Sequence, residues 1–224
     1  VFVNTTWLGG GFGRRAEQDF VVEAVEASKA LGKPVKIVWS REDDMQHDYY
    51  RPPSYSVLKA GLNETGQPVA WMHKMVNSSV LSDSLEGGLM TGALPGWLPD
   101  TVKMNAGRLG AVLTRKINEP VSTEGGVEIP YTIPNQRVER VAFNLPVPLG
   151  FWHTAFMVES FIDELAHLAG QDPYLYRSSL LKDKPRHKAV LERVAKRADW
   201  GTALPAGRAR GIAQHASFGS FVAQ

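Results

Sequence analysis

The chain has 224 residues, of which 43% are hydrophobic and 21% charged, a composition typical of a globular protein with a substantial core. Its 25 basic and 23 acidic residues leave a net charge of +2, which argues against nucleic acid as a partner. The chain contains no cysteine, which excludes disulfides, thiolate zinc sites and iron–sulfur ligation within it. No stretch approaches the roughly 20 apolar residues of a membrane-spanning helix.

A glycine-rich segment near the start of the chain follows a strand-like lead and runs into an amphipathic helix. Four glycines fall within five positions, at Gly9, Gly10, Gly11 and Gly13. Backbone amides of such a segment, with the positive end of the next helix, form an anion site. Because Arg14 and Arg15 add positive charge, the segment predicts binding of a phosphorylated organic cofactor.

A helix and a strand are predicted after the glycines. Apolar residues at helical spacing, followed by Gly32, predict a helix over residues 17–31. The mostly apolar Pro34–Trp39 predicts a short strand. The acidic run Glu42–Asp44, with His47 and Asp48 nearby, is expected to be a solvated turn, and we predict no metal site.

The middle of the chain predicts a β-hairpin followed by loops. Residues 54–62 and 69–76 alternate as strands do, and the turn formers Asn63 and Gly66 lie between them. Residues 77–135 are rich in glycine and proline and predict long surface loops. Short helical pieces are expected there, near residues 83–90 and 98–104.

The remainder of the chain is mainly helical. The pattern predicts a strand over residues 137–143, a helix over 155–169, and a helix over 172–182 that is capped by Asp172. A third helix is expected to stop at Gly201, and a strand closes the chain. The fold class is therefore α+β (mixed α/β), with residues 1–145 as the glycine-loop and hairpin lobe and residues 146–224 leading into a second lobe.

Three interpretations of the glycine segment are open from the residues alone. It is a tight turn without a ligand, a dinucleotide fingerprint, or a loop around another cofactor. The run Gly11–Ala16 satisfies G-x-G-x-x-G/A. However, the acidic residue that this fingerprint needs would be Glu42 or Asp43, which lie far along, and a hairpin follows where a second crossover helix is expected.

Six segments in the same order resemble the molybdenum-binding subunit of the molybdenum hydroxylase (xanthine oxidase) family, of the isoquinoline 1-oxidoreductase beta-chain and aldehyde dehydrogenase large-chain type. They are GGGFGRR, EAVEASKALGKPVKIVWSREDDM, QHDYYRPPSYSVLKAGL, PYTIPNQRVE, FMVESFIDELAHLAGQDPYLYRSSLL and RGIAQHASFGSF. Together they span almost the whole chain, so the match is far more specific than the glycines alone.

The resemblance implies a site, a cofactor and partners. Cofactor-binding residues are expected at Gly10, Gly11, Phe12, Gly13 and Arg14, against molybdenum and a molybdopterin in its cytosine dinucleotide form. Iron–sulfur clusters are expected on a small partner subunit, and a cytochrome subunit is a further candidate partner. The expected reaction hydroxylates N-heterocycles or oxidises aldehydes, and family analogy suggests a periplasmic or membrane-associated location.

The chain also departs from that family. The resemblance implies a catalytic glutamate in a Gly-Glu motif, whereas Glu64, Glu86 and Glu159 stand in other contexts, so we predict no catalytic residue here. The link after Trp152 is several residues shorter than the resemblance implies, and His153 stands where its first residue is expected to be an arginine. We expect an internal fragment of a bacterial oxidoreductase that is inactive alone. The alternative is a non-catalytic binding or assembly module with the same fold.

Overall fold

The computed structural model describes residues 4, 6–7, 9–11, 14–16, 19–48, 50, 53–79, 82, 85, 94–114, 120–143 and 153–224. The chain divides into two compact units, each discontinuous in sequence. The first unit comprises Val1–Pro53, Ser78–Glu119 and Phe143–Gly150, and the second comprises Ser54–Asn77, Pro120–Ala142 and Phe151–Gln224. The predicted division at residue 145 stays a prediction. Helices and sheets are both present, which confirms the α+β fold class.

The described residues of the first unit include the α-helices α1 (Asp19–Leu31), α2 (Arg41–His47) and α3 (Asp100–Thr114). Helix α1 confirms the prediction from Asp19 onward, and Gly32 after it has a positive φ of 61°. Ala24 is half-buried, but Leu31 is 66% exposed, so the predicted apolar face of α1 is only partly covered.

Two predictions for the first unit are wrong. Residues 34–39 form no strand, because no neighbouring strand among the described residues supplies the ladder of hydrogen bonds that a strand needs. The acidic run after them is helix α2 and not a turn. Ser40 accepts a hydrogen bond from the Asp43 amide (3.1 Å), and the Asp43 carboxylate accepts one from the Ser40 amide (3.0 Å), which forms a capping box.

The predicted loop region also contains more helix than expected. Helix α3 extends ten residues beyond the predicted piece at 98–104, to Thr114. The piece predicted at 83–90 lies almost entirely outside the described residues. None of the described helices combines the length and apolar character needed to cross a membrane.

A three-stranded sheet forms one side of the second unit. Strands β1 (Tyr55–Leu62) and β2 (Pro68–Ser78) are antiparallel, with Leu58 opposite His73, and β3 (Asn135–Phe143) lies beside β2. The Asn63 side chain accepts hydrogen bonds from the amides of Thr65 (3.1 Å) and Gln67 (2.9 Å), which fixes the turn. The predicted hairpin and the strand at 137–143 are therefore confirmed.

Besides a 3₁₀ helix at Pro120–Thr123, the described part of the second unit also contains three α-helices and a small hairpin. They are α4 (His153–Leu168), α5 (Pro173–Leu180), α6 (Pro185–Arg197), β4 (Gln214–Ser217) and β5 (Ser220–Ala223). Asp172 caps α5 through the amides of Tyr174 (2.9 Å) and Leu175 (3.0 Å), as predicted. Strands β4 and β5 pair antiparallel with each other.

The core of the second unit lies between its sheet and its helices. Trp71 from β2 packs edge-on against Phe161 from α4, with ring centroids 5.2 Å apart. The predicted apolar stripe of α4 is buried at Val158, Ile162 and Leu165, whereas Leu168 is 74% exposed. The apolar face of α4 therefore lies in the core except in the last turn of the helix, where Leu168 is exposed. The other buried apolar residues include Ile129, Tyr131, Ile133, Tyr176, Leu180, Leu181, Leu191, Ala195 and Ile212.

Candidate functional site

The described part of the glycine segment is an irregular stretch with free amides. Gly9 lies in a bend, Gly10 is exposed and Gly11 is half-buried. Among the described residues, no protein acceptor receives a hydrogen bond from the amides of Gly9, Gly10 or Gly11. A Cβ placed on Gly9 would meet no atom within 4 Å. Phe12 and Gly13, both predicted to bind cofactor, lie outside the described residues.

A single 3₁₀ turn, Arg14–Ala16, follows the glycines. The Arg14 amide donates to the carbonyl oxygen of Gly11 at 2.9 Å, and this bond closes a turn between the two residues. Helix α1 begins three residues after the 3₁₀ turn, at Asp19. The glycines and helix α1 are thus consecutive elements of the chain, separated by the 3₁₀ turn.

The charge of Arg14 is already paired within the protein. Its Nη1 and Nη2 atoms donate to the two carboxylate oxygens of Asp19 at 2.8 and 2.7 Å, and its Nε atom contacts the carboxylate of Asp48. The hydrogen bond from Arg14 lowers the pKa of Asp19, and the hydrogen bond to Asp19 raises the pKa of Arg14. The role of Arg14 in cofactor binding stays a prediction.

A cavity of about 320 Å³ adjoins Arg14. Its lining combines aromatic and charged side chains: Arg14, Arg15, Phe20, Glu23, Trp39, Asp44 and Asp48. The guanidinium of Arg15 lies 5.0 Å from the centre of the Phe20 ring, within cation–π range. The Trp39 indole donates to the Glu23 carboxylate at 3.0 Å, so the segment predicted to be a strand is held against α1 by a side chain.

Among the described residues, no cluster of three or more His, Asp or Glu side chains is arranged to hold a metal ion. The carboxylates of the acidic run have protein partners instead, since Asp43 bonds Ser40 and Asp44 accepts from Arg41 at 2.5 Å. The glycine amides, which carry no side-chain bulk, are the groups that fit an anionic cofactor.

The glutamate at position 159 belongs to a buried network that the sequence did not reveal. Arg177, which is 0% exposed, donates from Nε to Glu159 at 2.9 Å and from Nη1 to Asp163 at 2.6 Å. Glu159 also accepts from the Tyr131 hydroxyl at 2.7 Å and from the Gln214 amide at 3.0 Å. Glu159 is therefore committed to holding elements of the second unit together. The helical spacing of the sequence could place Glu159 and Asp163 on one face, but not Arg177 opposite them.

The sequence indicates no partner for His73 or His215, and the structure shows the environment of each. His73 is fully buried, and its Nε2 atom lies 3.1 Å from the Ser56 hydroxyl of the neighbouring strand. Burial lowers the pKa of His73, and it also lowers the pKa of His215. At the start of α4, the Nε2 atom of His153 lies 3.4 Å from the Asn77 side-chain amide.

Comparison with known proteins places the glycine segment within a known domain. Residues 1–96 match the family described as the molybdopterin cofactor-binding domain. The chain is 29% identical to the membrane-bound aldehyde dehydrogenase [pyrroloquinoline-quinone] of Gluconacetobacter polyoxogenes, over 95% of this chain and 28% of that protein. It is also 29% identical to the beta chain of isoquinoline 1-oxidoreductase from Brevundimonas diminuta, over 86% of this chain and 22% of that protein.

A third relative belongs to the nicotinate dehydrogenase of Pseudomonas putida, and it is 29% identical over 85% of this chain and 15% of its own length. The chain thus spans 28% or less of each of these three curated relatives. The family match covers the glycine segment, and the relatives extend the similarity over most of the remaining residues. Residues 1–96 are thus similar to a molybdopterin cofactor-binding domain, and most of the chain is similar to these three oxidoreductases.

Proposed function

We propose that this chain is part of the molybdenum-cofactor subunit of an oxidoreductase that hydroxylates N-heterocycles or oxidises aldehydes, with water as the oxygen source. The observation that carries the proposal is the glycine segment, whose amides at Gly9–Gly11 have no protein acceptor among the described residues and which lies within the matched domain. The names of the relatives, which include an aldehyde dehydrogenase and an isoquinoline oxidoreductase, support the two substrate classes.

The glycine residues would hold the cofactor through their backbone. Because Gly10 and Gly11 lack side chains, an anionic group can approach their amides closely, and the N–H donors then stabilise its negative charge. When bound, the cofactor supplies oxygen-atom transfer to an electron-poor carbon and takes up the released electrons. Phe12 is proposed to exclude water from that group.

We propose that the 224 residues alone are inactive, because neither Glu64 nor Glu159 is placed to act as the base that such a reaction needs. Glu64 lies exposed in the hairpin turn. Glu159 is buried, and its oxygens accept from Arg177, Tyr131 and Gln214. The oxygens of this carboxylate are thus occupied by donors of the protein itself.

Partners and location are part of the same proposal. This chain has no cysteine to ligate an iron–sulfur cluster. We therefore propose that electrons leave through a small iron–sulfur subunit, with a cytochrome subunit as a further candidate. The cytosine dinucleotide form of the cofactor and a periplasmic or membrane-associated location are proposed by family analogy.

Cofactor content tests the proposal directly. The chain is produced in a host that makes molybdopterin, and the purified protein is assayed for molybdenum and, after extraction, for the pterin. We expect both in the wild-type chain and less of both in Gly9→Ala, because the added methyl group meets no protein atom within 4 Å but adds bulk beside the amides proposed to hold the cofactor.

Gly211→Ala is the matched control, since a Cβ there also meets nothing within 4 Å but lies in the second unit. Absence of molybdenum and pterin from the wild-type chain would favour the non-catalytic assembly module. Turnover of an aldehyde with an artificial electron acceptor, well above background, would refute the proposed inactivity of the isolated chain.

A further inference from the structure

A cavity of about 480 Å³ lies in the second unit, between helix α4 and the β4–β5 hairpin. Residues of α4, of the segment just before β4 and of the hairpin itself form its lining. Its volume falls within the range of about 300–1,000 Å³ that is usual for small-molecule sites. None of the described lining residues belongs to the glycine segment, so a ligand in this cavity is distinct from the proposed cofactor.

The wall of this cavity is largely apolar and partly open to solvent. Phe156 on α4 is 68% exposed, and Val222 on β5 is 62% exposed. A ligand that covers these two side chains removes apolar surface from water, which favours binding. The apolar residues of the wall are Ala155, Phe156, Ile212, Ala213, Val222 and Ala223.

Helical spacing aligns the polar groups on the α4 side of the cavity with an aromatic ring. Phe156, Ser160 and Asp163 follow one another at intervals of four and three residues, so they lie on one face of the helix. The apolar stripe of α4 that packs into the core lies on a different face. Besides its core contacts, α4 therefore contributes a ring, a hydroxyl and a carboxylate to this cavity.

The charged groups around the cavity leave a negative charge unbalanced. Glu159 and Asp163 are the carboxylates among the described lining residues, and both accept from the single guanidinium of Arg177. Arg177 is fully buried and is not part of the lining. The described lining contains no lysine or arginine, and the nearby Arg210 donates to the carbonyl oxygen of Thr202 at 2.8 Å. Two carboxylates thus share one cation, which favours a positively charged ligand.

Asp163 is the carboxylate that a ligand can use. It accepts from Arg177 through Oδ1, and its Oδ2 atom receives no hydrogen bond from a described residue. The side chains of Ser160 and His215 likewise make no hydrogen bond within the part of the chain that the structure describes. Burial lowers the pKa of His215, so its ring is neutral near pH 7 and does not repel a cation.

We propose that this cavity binds an organic cation that joins a protonated amine to an apolar body such as an aromatic ring. The Asp163 carboxylate and the Ser160 hydroxyl accept hydrogen bonds from the ammonium group, and the face of the Phe156 ring attracts its charge. The apolar wall covers the body of the ligand. The proposal is independent of the cofactor, because it uses residues of the second unit alone.

Titration followed by NMR tests the site on the full 224-residue chain. The probe is phenethylammonium, with 2-phenylethanol as its neutral analogue and 3-phenylpropanoate as its anionic one. We expect saturable shifts of the amide signals of Gln214, His215 and Val222, which line the cavity. The affinity for phenethylammonium should exceed that for 2-phenylethanol about tenfold, because the alcohol makes no charge-assisted bond, and the anion should not bind measurably.

Two pairs of variants separate the roles of the carboxylate and of the ring. Asp163→Asn should weaken binding of phenethylammonium about tenfold and leave that of 2-phenylethanol unchanged, whereas the control Glu164→Gln, on the same helix but outside the lining, should change neither. Phe156→Ala should weaken binding of both probes, and the exposed control Phe218→Ala should not. Because Phe156 is mostly exposed, this second pair remains informative if Asp163→Asn destabilises the chain through its contact with Arg177.

Three results would contradict the proposal. Equal affinity for phenethylammonium and 2-phenylethanol would overturn the assignment to cations. Wild-type affinity in both Asp163→Asn and Phe156→Ala, or shifts confined to signals outside the cavity, would overturn the site. Absence of saturable binding at millimolar concentrations of phenethylammonium would overturn it as well. None of these measurements involves molybdenum, so failure of the proposed cofactor function leaves their outcome unaffected.

Discussion

Replacing Arg177 with methionine removes a fully buried guanidinium and leaves the Glu159 carboxylate buried without its cation. Arg177 donates to Glu159, to Asp163 and to the backbone oxygens of Pro173 (3.2 Å) and Glu159 (2.8 Å). Breaking a buried pair on one side costs about 3–5 kcal/mol. Because Tyr131 still donates to Glu159, we expect Arg177→Met to lower the free energy of unfolding by about 3 kcal/mol, the lower end of that range.

Urea unfolding followed by tryptophan fluorescence measures this change in the free energy of unfolding. The control is Glu192→Gln, which breaks an exposed pair with Lys188 at 4.0 Å and should change stability by less than about 0.5 kcal/mol. The double variant Arg177→Met/Glu159→Gln should lose less than the sum of the single losses, because the second change removes the unpaired charge. A loss below about 1 kcal/mol in Arg177→Met would refute the reasoning.

Three further predictions concern local features. Asp19→Asn should destabilise the chain near neutral pH, and its difference from wild type should shrink below about pH 4 in urea unfolding, because the lowered pKa of Asp19 means that its stabilising pair with Arg14 is lost on protonation. Gly66→Ala should cost about 1–3 kcal/mol, measured by thermal unfolding, since φ is +78° and the new methyl group would lie 2.6 Å from the Ala169 Cβ. Asp172→Ala should cost about 1 kcal/mol in the same assay, because it removes the cap of α5.

Elements whose ends are marked by a capping residue, a glycine or a turn-forming residue were predictable from the sequence. Helix α5 begins at the Asp172 cap, and α1 ends before Gly32, where the sequence placed both boundaries. The hairpin was predictable because Asn63 and Gly66 determine its turn through contacts a few residues apart. In each case the residues that determine the boundary lie only a few positions apart in the sequence.

Predictions failed where the outcome depends on residues far away in sequence. Residues 34–39 have the composition of a strand. A strand also needs a neighbouring strand to pair with, and the composition of the segment does not show whether one lies beside it. Their place beside α1 depends on the Trp39 bond to Glu23, 16 residues away. Helix α2 differs from this segment, since its capping box at Ser40 and Asp43 is a local signal that the sequence itself contains.

The candidate site shows the same limit. The glycines and the two arginines were evident in the sequence, but the charges alone could not show that carboxylates hold Arg14 while Arg15 has no such partner among the described residues. That difference depends on Asp48, which α2 brings within reach of Arg14 from far along the chain. The Glu159 network was likewise hidden, because Gln214 lies 55 residues from it.

The attachment of the β4–β5 hairpin to the helices has a consequence for cooperativity. Gln214 donates its amide to Glu159 and its side-chain nitrogen to Tyr131 at 3.1 Å, and its side-chain oxygen lies 2.5 Å from Nδ1 of His187. Detaching the hairpin would therefore expose the same buried charges that join α4 to α5. A two-stranded hairpin has only marginal stability by itself. Because β4–β5 is hydrogen-bonded to the helices, we expect it to unfold together with them in one cooperative transition.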